Sequence, residues 1–205
     1  TRRWIDAHAR TFDRPVQEVT EQEMAKVSQL TTPTDGMAIY RIPRYQLDVE
    51  ALRQELVLAL DTVQDPGNLG TIVRLADWFG IRHIVCSPET ADLYNPKVVQ
   101  ATMGALARVR LYYTPLADFL GSMDRTTVYG TFLDGADLYR STLTPRGVIV
   151  MGNEGNGISP ELEPYIGSRL YIPSYPAGQP TSESLNVAMA AAITCAEFRR
   201  RQIVS

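Results

Sequence analysis

The sequence predicts an α/β domain built on a mostly parallel sheet with helices on both faces. Three observations lead there. From Leu56 onward, short apolar runs alternate with segments of helical periodicity. Two stretches at the ends of such runs, Asp65–Arg74 and Val148–Ser159, are glycine-rich turns that lead into helical patterns. A third run, Leu170-Tyr171-Ile172, opens into a Pro-, Gly- and Ser-rich loop followed by an alanine-rich helical segment. In open parallel sheets ligands bind beyond the carboxyl ends of the strands. All three stretches fall at such ends.

Residues 1–48 read differently from the rest. Thr1 to Phe12 has the character of a short helix. Thr20 is an N-cap and Glu23, three residues on, its capping-box partner, with Met24, Val27 and Leu30 as an apolar stripe. Thr31 to Gly36 is turn chemistry. Met37 to Ile42 reads as a strand closed by Pro43. One helix and one strand cannot bury a core alone. Tyr45 to Glu55 is a polar connector.

The regular pattern then begins. Leu56–Leu60 is a strand and Asn68–Phe79 a helix stopped by Gly80. His83–Cys86 is a strand, Pro96–Leu106 a helix and Ala107–Tyr112 a strand. Pro115–Met123 is a helix and Thr127–Phe132 a strand. Gly147–Met151 is a strand followed by a helix capped by Ser159 with Pro160 at its first position. After Leu170–Ile172, a long helix runs from Leu185 to Arg201.

Composition narrows the function classes. The chain has 205 residues, enough for one large domain or one domain plus a small one. No apolar run is long enough for a membrane span. Cys86 and Cys195 lie far apart in apolar surroundings and read as reduced core residues of a cytoplasmic protein. His8 and His83 form no ligand pattern, so no metal site is expected. With 20 Lys and Arg against 23 Asp and Glu, the formal net charge is −3, so any basic surface must be local. Arg199-Arg200-Arg201 reads as a solvated helix end that suits the dipole.

Three stretches carry the chemistry. In Asp65-Pro66-Gly67-Asn68-Leu69-Gly70-Thr71-Ile72-Val73-Arg74, Asn68 is placed to cap the helix. Arg74 follows nearly two turns later with a planar charge suited to a phosphate. In Gly152-Asn153-Glu154-Gly155-Asn156-Gly157, three glycines let the backbone approach a ligand closely, and Glu154 is held inside the turn. There is no Gly-Lys-Ser/Thr, which disfavours a P-loop, and the glycine spacing is not that of a dinucleotide fingerprint. In the third stretch, Ser184 and Asn186 lie at a polar helix start beside the long loop. Small residues such as Ala188, Ala191 and Ala192 follow and allow close packing.

Taken together, DPGNLGTIVR, VIVMGNEGNGIS and YIP…SLNVAMAAA resemble, in order and spacing, the SpoU (TrmH-like) family of the SPOUT class of RNA methyltransferases. The resemblance covers about Leu56 to the C-terminus. Pro96 to Ala105, with Arg108 after it, also looks like the family pattern. One departure is the loop from Ser174 to Glu183, which is longer than usual and has Ser174 where a Met is common.

The resemblance implies a C-terminal trefoil knot, although general rules disfavour knots, and a homodimer with the active site near the interface. It implies S-adenosylmethionine held by Met151, Gly152, Asn153, Gly155, Ile172, Leu185 and Asn186. The functional residues it implies are Asn68, Arg74, Glu154, Ser184 and Asn186. The reaction would be methyl transfer to a ribose 2′-OH of rRNA or tRNA, which demands in-line positioning and removal of the hydroxyl proton. A guanidinium stays protonated. Arg74 therefore suits a phosphate clamp and an aid to the developing alkoxide better than a base. Glu154, Ser184 or a water between them is left to carry the proton, or Glu154 only braces the glycine turn or Asn68. Arg41, Arg44, Arg74, Arg108 and Arg110 would supply the local basic surface.

Residues 1–48 resemble the second half of an L30e-like RNA-binding module, with the methyltransferase domain at 49–205. The first residue, Thr1, and the incomplete module predict a protein longer at its N-terminus. Two other classes stay open: a non-catalytic RNA-binding protein on the same fold, and a small-molecule oxidoreductase or nucleotide enzyme of ordinary doubly wound type.

Overall fold

The computed structural model describes residues 16–28, 30–176, 179 and 182–203. The helix expected over residues 1–12 and the histidine at position 8 lie outside them. The chain divides into two units, Thr1–Arg44 and Tyr45–Ser205.

In the first unit, α1 (Glu21–Val27) has the capping box that the sequence announces. The Thr20 amide donates to Glu23 Oε2 at 2.8 Å, and the Glu23 amide donates to Thr20 Oγ1 at 3.3 Å. Two helical amides that would otherwise lack partners are satisfied in this way. The expected apolar stripe is not covered, for none of the α1 side chains is buried. Met37 to Ile42 is not a strand. Among the described residues no neighbouring strand supplies a ladder there, and Ile39, Tyr40 and Ile42 are exposed.

The second unit is a six-stranded sheet: β1 (Leu56–Leu60), β2 (His83–Cys86), β3 (Arg110–Tyr113), β4 (Val128–Asp137), β5 (Gly147–Met151) and β6 (Ser168–Tyr171). The spatial order is β3-β2-β1-β5-β4-β6. Every pairing is parallel. All five residues of β1 and of β5 are buried, as expected when helices cover both faces. The two-residue period sorts them. Leu56, Leu58 and Leu60 join one cluster with Ile149 and Met151, whereas Val57 and Ala59 join another with Val148 and Val150.

The first face is covered by α3 (Pro66–Trp78), α4 (Pro96–Ala101) and α6 (Val187–Ile203), through residues such as Leu69, Ile72, Val98, Ala191 and Phe198. Helices α3 and α4 approach closely at Gly70, where a Cβ would overlap that of Ala101 and come within 2.9 Å of the Val98 carbonyl. The second face carries α5 (Leu116–Gly121) and a 3-10 turn, Pro160–Tyr165, which contribute Leu116, Phe119, Leu120 and Leu162. The connector before β1 holds a short helix, α2 (Val49–Leu52), whose Leu52 is buried in the same cluster.

Several boundaries differ from the sequence reading for identifiable reasons. Helix α3 starts at Pro66 because Asp65, not Asn68, caps it; the Asp65 carboxylate accepts from the Asn68 amide at 2.7 Å. The helix expected over 96–106 breaks after Ala101. Met103 and Gly104 take positive φ values of 50° and 83°, leaving a separate 3-10 turn at Ala105–Ala107. Strand β4 runs on past Phe132, with an irregularity between Thr131 and Ala136 where it pairs with β6. The helix expected after Ser159 is the 3-10 turn, and the Ser159 side chain does not cap it.

The triple arginine is more than a solvated helix end: Arg200 is exposed as expected, whereas Arg199 and Arg201 are half-buried. Arg199 donates to the carbonyls of Phe79 (2.7 Å) and Gly80 (3.1 Å), which end α3. Arg200 and Arg201 both pair with the buried Glu197. Cys86 and Cys195 are free and buried. Burial pushes the Cys86 thiol up and the Cys195 thiol up to about 12, so neither is a nucleophile. No helix among the described residues is long and apolar enough to cross a membrane.

Candidate active site

Strands β1 and β5 are neighbours, in register from Leu56 with Gly147 to Leu60 with Met151. The turns that leave their carboxyl ends therefore emerge side by side. One leads into α3, and the other is the glycine turn. This pairing explains how residues far apart in sequence meet.

Asn68 stands in the first turn of α3. Because Asp65 already caps that helix, the Asn68 side chain is released for other work. Its Nδ2 donates to Glu154 Oε1 at 2.8 Å. Its Oδ1 accepts from Asn186 Nδ2 at 2.9 Å. Asn186 in turn caps α6, its Oδ1 accepting from the amides of Ala188 (2.9 Å) and Met189 (3.3 Å). The structure thus links three of the sequence-derived residues in one chain, Asn186 to Asn68 to Glu154. The start of α6 is accordingly Val187, two residues later than expected, and Asn186 is its cap.

The glycine turn is a closed loop. Asn153 and Gly157 form an antiparallel bridge, with amide-to-carbonyl distances of 2.8 and 2.9 Å. Asn153 Oδ1 accepts from the amides of Gly155 (2.9 Å) and Asn156 (3.1 Å). Gly152 has no room for a side chain, since a Cβ would overlap the backbone of Gly157 and Ile158. Glu154 projects from the tip of this loop and is exposed.

The end of β1 anchors the loop from below. Asp61 is only 3% exposed, and its Oδ2 accepts from the Ser159 amide at 2.6 Å. The Asn153 Nδ2 donates to the Thr62 carbonyl at 2.8 Å. Thr62 holds a positive φ of 56°, and its amide donates to Ser87 Oγ at 2.9 Å. Sequence reading missed Asp61 and Thr62. The signal was an acid directly after an apolar strand, at the strand end where function concentrates.

A cavity of about 440 Å³ opens at the carboxyl ends of β5 and β6 beside the middle of β4, within the range of small-molecule sites (about 300–1,000 Å³). Of the residues expected to hold a cofactor, Met151, Gly152, Asn153, Gly155, Ile172 and Leu185 line it. Glu154 and Ser184 line it too, whereas Asn68, Asn186 and Arg74 do not. Thr131, Phe132 and Leu133 of β4 add a wall that the sequence reading did not single out. The Arg169 guanidinium lies 3.5 Å from the Phe132 ring centroid and also bonds Asp134 (2.5 Å) and Glu163 (2.8 Å), which fixes that wall.

The walls suit S-adenosylmethionine. Apolar Phe132, Leu133, Ile172 and Leu185 can face an aromatic base, while Glu154, Glu163 and Glu183 present carboxylates to a cationic ligand. Arg74 is exposed on α3 and has no hydrogen-bond or ion-pair partner among the described residues. Arg108, one of the arginines expected to supply basic surface, forms a bidentate pair with Asp77 at 2.9 and 2.7 Å and stays exposed. Arg110 lies 5.1 Å from the Tyr45 ring centroid.

An all-parallel sheet with a cavity at its carboxyl edge and a hydrogen-bonded Asn–Asn–Glu chain beside it defines a ligand-binding α/β enzyme scaffold. The chain belongs to the SpoU rRNA methylase family, whose model matches residues 55–196. It is 33% identical over 184 residues to the Bacillus subtilis 23S rRNA (guanosine(2553)-2′-O)-methyltransferase RlmP, covering 88% of this chain and 71% of that protein. It is 31% identical over 153 residues to the 23S rRNA (guanosine-2′-O-)-methyltransferase RlmB of Neisseria meningitidis, covering 73% of this chain and 60% of that one. Among solved structures, the AdoMet-bound rRNA methyltransferase from Sinorhizobium meliloti superposes with a TM-score of 0.79 at 29% identity, covering 97% of this chain and 77% of that one.

Proposed function

We propose that the protein is an S-adenosylmethionine-dependent methyltransferase that modifies a ribose 2′-OH, with ribosomal RNA as the substrate class carried by its relatives' names. The observation that carries this reading is the chain from Asn186 through Asn68 to Glu154 at the edge of the cavity. When bound, the cofactor supplies a methyl group on a cationic sulfur. The residues do the rest. Backbone at Met151, Gly152, Gly155, Ile172 and Leu185 holds the adenosyl part. Glu154 stands at the cavity with one oxygen fixed by Asn68, leaving the other to accept a proton from the ribose hydroxyl, directly or through Ser184 or a water. Arg74, a charge with no partner among the described residues, clamps an RNA phosphate and stabilises the developing alkoxide. Holding the nucleophile in line contributes much of the rate.

The same reading includes a C-terminal trefoil knot and a homodimer in which both subunits complete the site. Support for the knot comes from family membership and from a cavity walled jointly by the middle of β4 and the segments that follow β5 and β6. Residues 1–48 are proposed as part of an L30e-like RNA-docking module and 49–205 as the methyltransferase domain, with the protein working in the cytoplasm. The test is incubation with S-adenosylmethionine and unmodified rRNA or tRNA, followed by nucleoside mass spectrometry. A 2′-O-methylated nucleoside is the expected product. A folded protein that methylates neither RNA class overturns the proposal.

A further inference from the structure

We infer that Asn186 is a positioning residue whose amide, oriented by the start of α6, sets the direction of the whole hydrogen-bond chain and thereby presents Glu154 as an acceptor. The inference rests on the methyltransferase reading for its catalytic meaning, but not for its structural content.

The argument is one of donors and acceptors. The amides of Ala188 and Met189 can only donate. The atom of Asn186 that they meet, at 2.9 and 3.3 Å, must therefore be Oδ1. That choice turns Nδ2 of Asn186 toward Asn68. A donor there requires Oδ1 of Asn68 to be the atom at 2.9 Å. Nδ2 of Asn68 is then forced toward Glu154, which it meets at 2.8 Å. Each amide has one polar end used up by the preceding link, so neither can flip alone without placing two acceptors or two donors face to face. The backbone of α6 therefore dictates what Glu154 sees: a donor on Oε1. A protonated Oε1 would have no acceptor to meet. The other carboxylate oxygen carries no protein hydrogen bond among the described residues, and Glu154 lines the cavity. Asp65 before α3, Arg74 and Asp77 on it, Asp61 behind the glycine turn, Glu161 and Glu163 after it and Glu183 before α6 are charged groups on the surrounding elements; none forms an ion pair with Glu154 among the described residues.

Asn186→Asp separates this role from helix capping. An aspartate caps a helix as well as an asparagine, but it offers Asn68 an acceptor where a donor stood. Asn68 then turns over and meets Glu154 with its oxygen. The expected result is a melting temperature within about 2 °C of wild type and cofactor binding within about threefold, with methyl transfer reduced by about tenfold or more. A crystal structure of the variant should show Asn68 reversed and its contact with Glu154 broken. Adding Glu154→Gln to N186D restores a continuous chain of opposite direction, and the double variant should recover no methyl transfer. Wild-type turnover in N186D overturns the inference, as does recovery in the double variant or an unchanged Asn68–Glu154 contact in the structure. Because the structural readout needs no RNA, a wild-type protein that methylates nothing contradicts the functional reading alone.

Discussion

Asn68 and Glu154 lie 86 positions apart in sequence, yet the amide of one donates to the carboxylate of the other at 2.8 Å. They meet because β1 and β5 are adjacent parallel strands whose turns leave the sheet together. Asp65 takes over helix capping, which frees Asn68 for this contact.

Replacing Asn68 tests that contact. Asn68→Ala leaves the Asp65 cap in place, so the fold should lose no more than about 1 kcal/mol. Methyl transfer should fall by about a hundredfold, while S-adenosylmethionine affinity changes little. Denaturation, calorimetry and a single-turnover assay report the three quantities separately.

Arg74→Ala should abolish methyl transfer and leave cofactor binding nearly intact, because Arg74 is exposed and does not line the cavity. RNA binding in this variant should show a shallower salt dependence, consistent with one fewer phosphate contact. Unchanged turnover would remove Arg74 from the mechanism.

Asp61→Ala should weaken both the fold and the cofactor site. It leaves the Ser159 amide without its acceptor at the base of the glycine turn. A loss of about 1–3 kcal/mol is expected, together with weaker cofactor binding. Thermal denaturation and calorimetry on the same preparation would detect both changes.

The close approach of α3 and α4 predicts a packing defect. Gly70→Val inserts side-chain atoms where even a Cβ overlaps Ala101 and crowds the Val98 carbonyl. The expected cost is about 1–3 kcal/mol or more, read as a lower denaturation midpoint.

Glu197 predicts a pH dependence of stability. The hydrogen bonds from Arg200, with those from Arg201, lower its carboxyl from 4.5 to about 2. The folded value lies below the unfolded one, so the stabilisation is complete above about pH 4.5 and is lost as pH falls toward about 2. Glu197→Gln should flatten the acid limb of stability over that window. An unchanged acid limb would show that the ion pairs contribute nothing.

The sequence made some of this legible and hid the rest for physical reasons. The alternation of apolar runs and helical segments announces a parallel sheet because buried strands need no polar face. The capping box at Thr20 and Glu23 is readable because it is local. Asn68, Glu154, Ser184 and Asn186 are readable as a set from motif spacing, but their roles are not. Which asparagine caps and which is free depends on Asp65 and on where α6 begins. Asp61 looks like any turn residue until Ser159 is brought onto it by the β1–β5 pairing. The break at Met103 and Gly104 depends on backbone angles that helical periodicity does not reveal. The arginines at 199–201 look solvated in sequence because their carbonyl and Glu197 partners come from tertiary folding and the helix's own buried face. Met37 to Ile42 shows the converse: an apolar run that finds no strand to pair with among the described residues.

The most direct measurement is calorimetric titration of the folded protein with S-adenosylmethionine, with NAD as control. Cofactor binding needs neither the correct RNA nor the RNA-docking segment. Binding with a Kd on the order of 10 μM or tighter, with none for NAD, is the expected result. A folded protein that fails to bind S-adenosylmethionine would contradict the assignment of the β4–β6 cavity as a cofactor site.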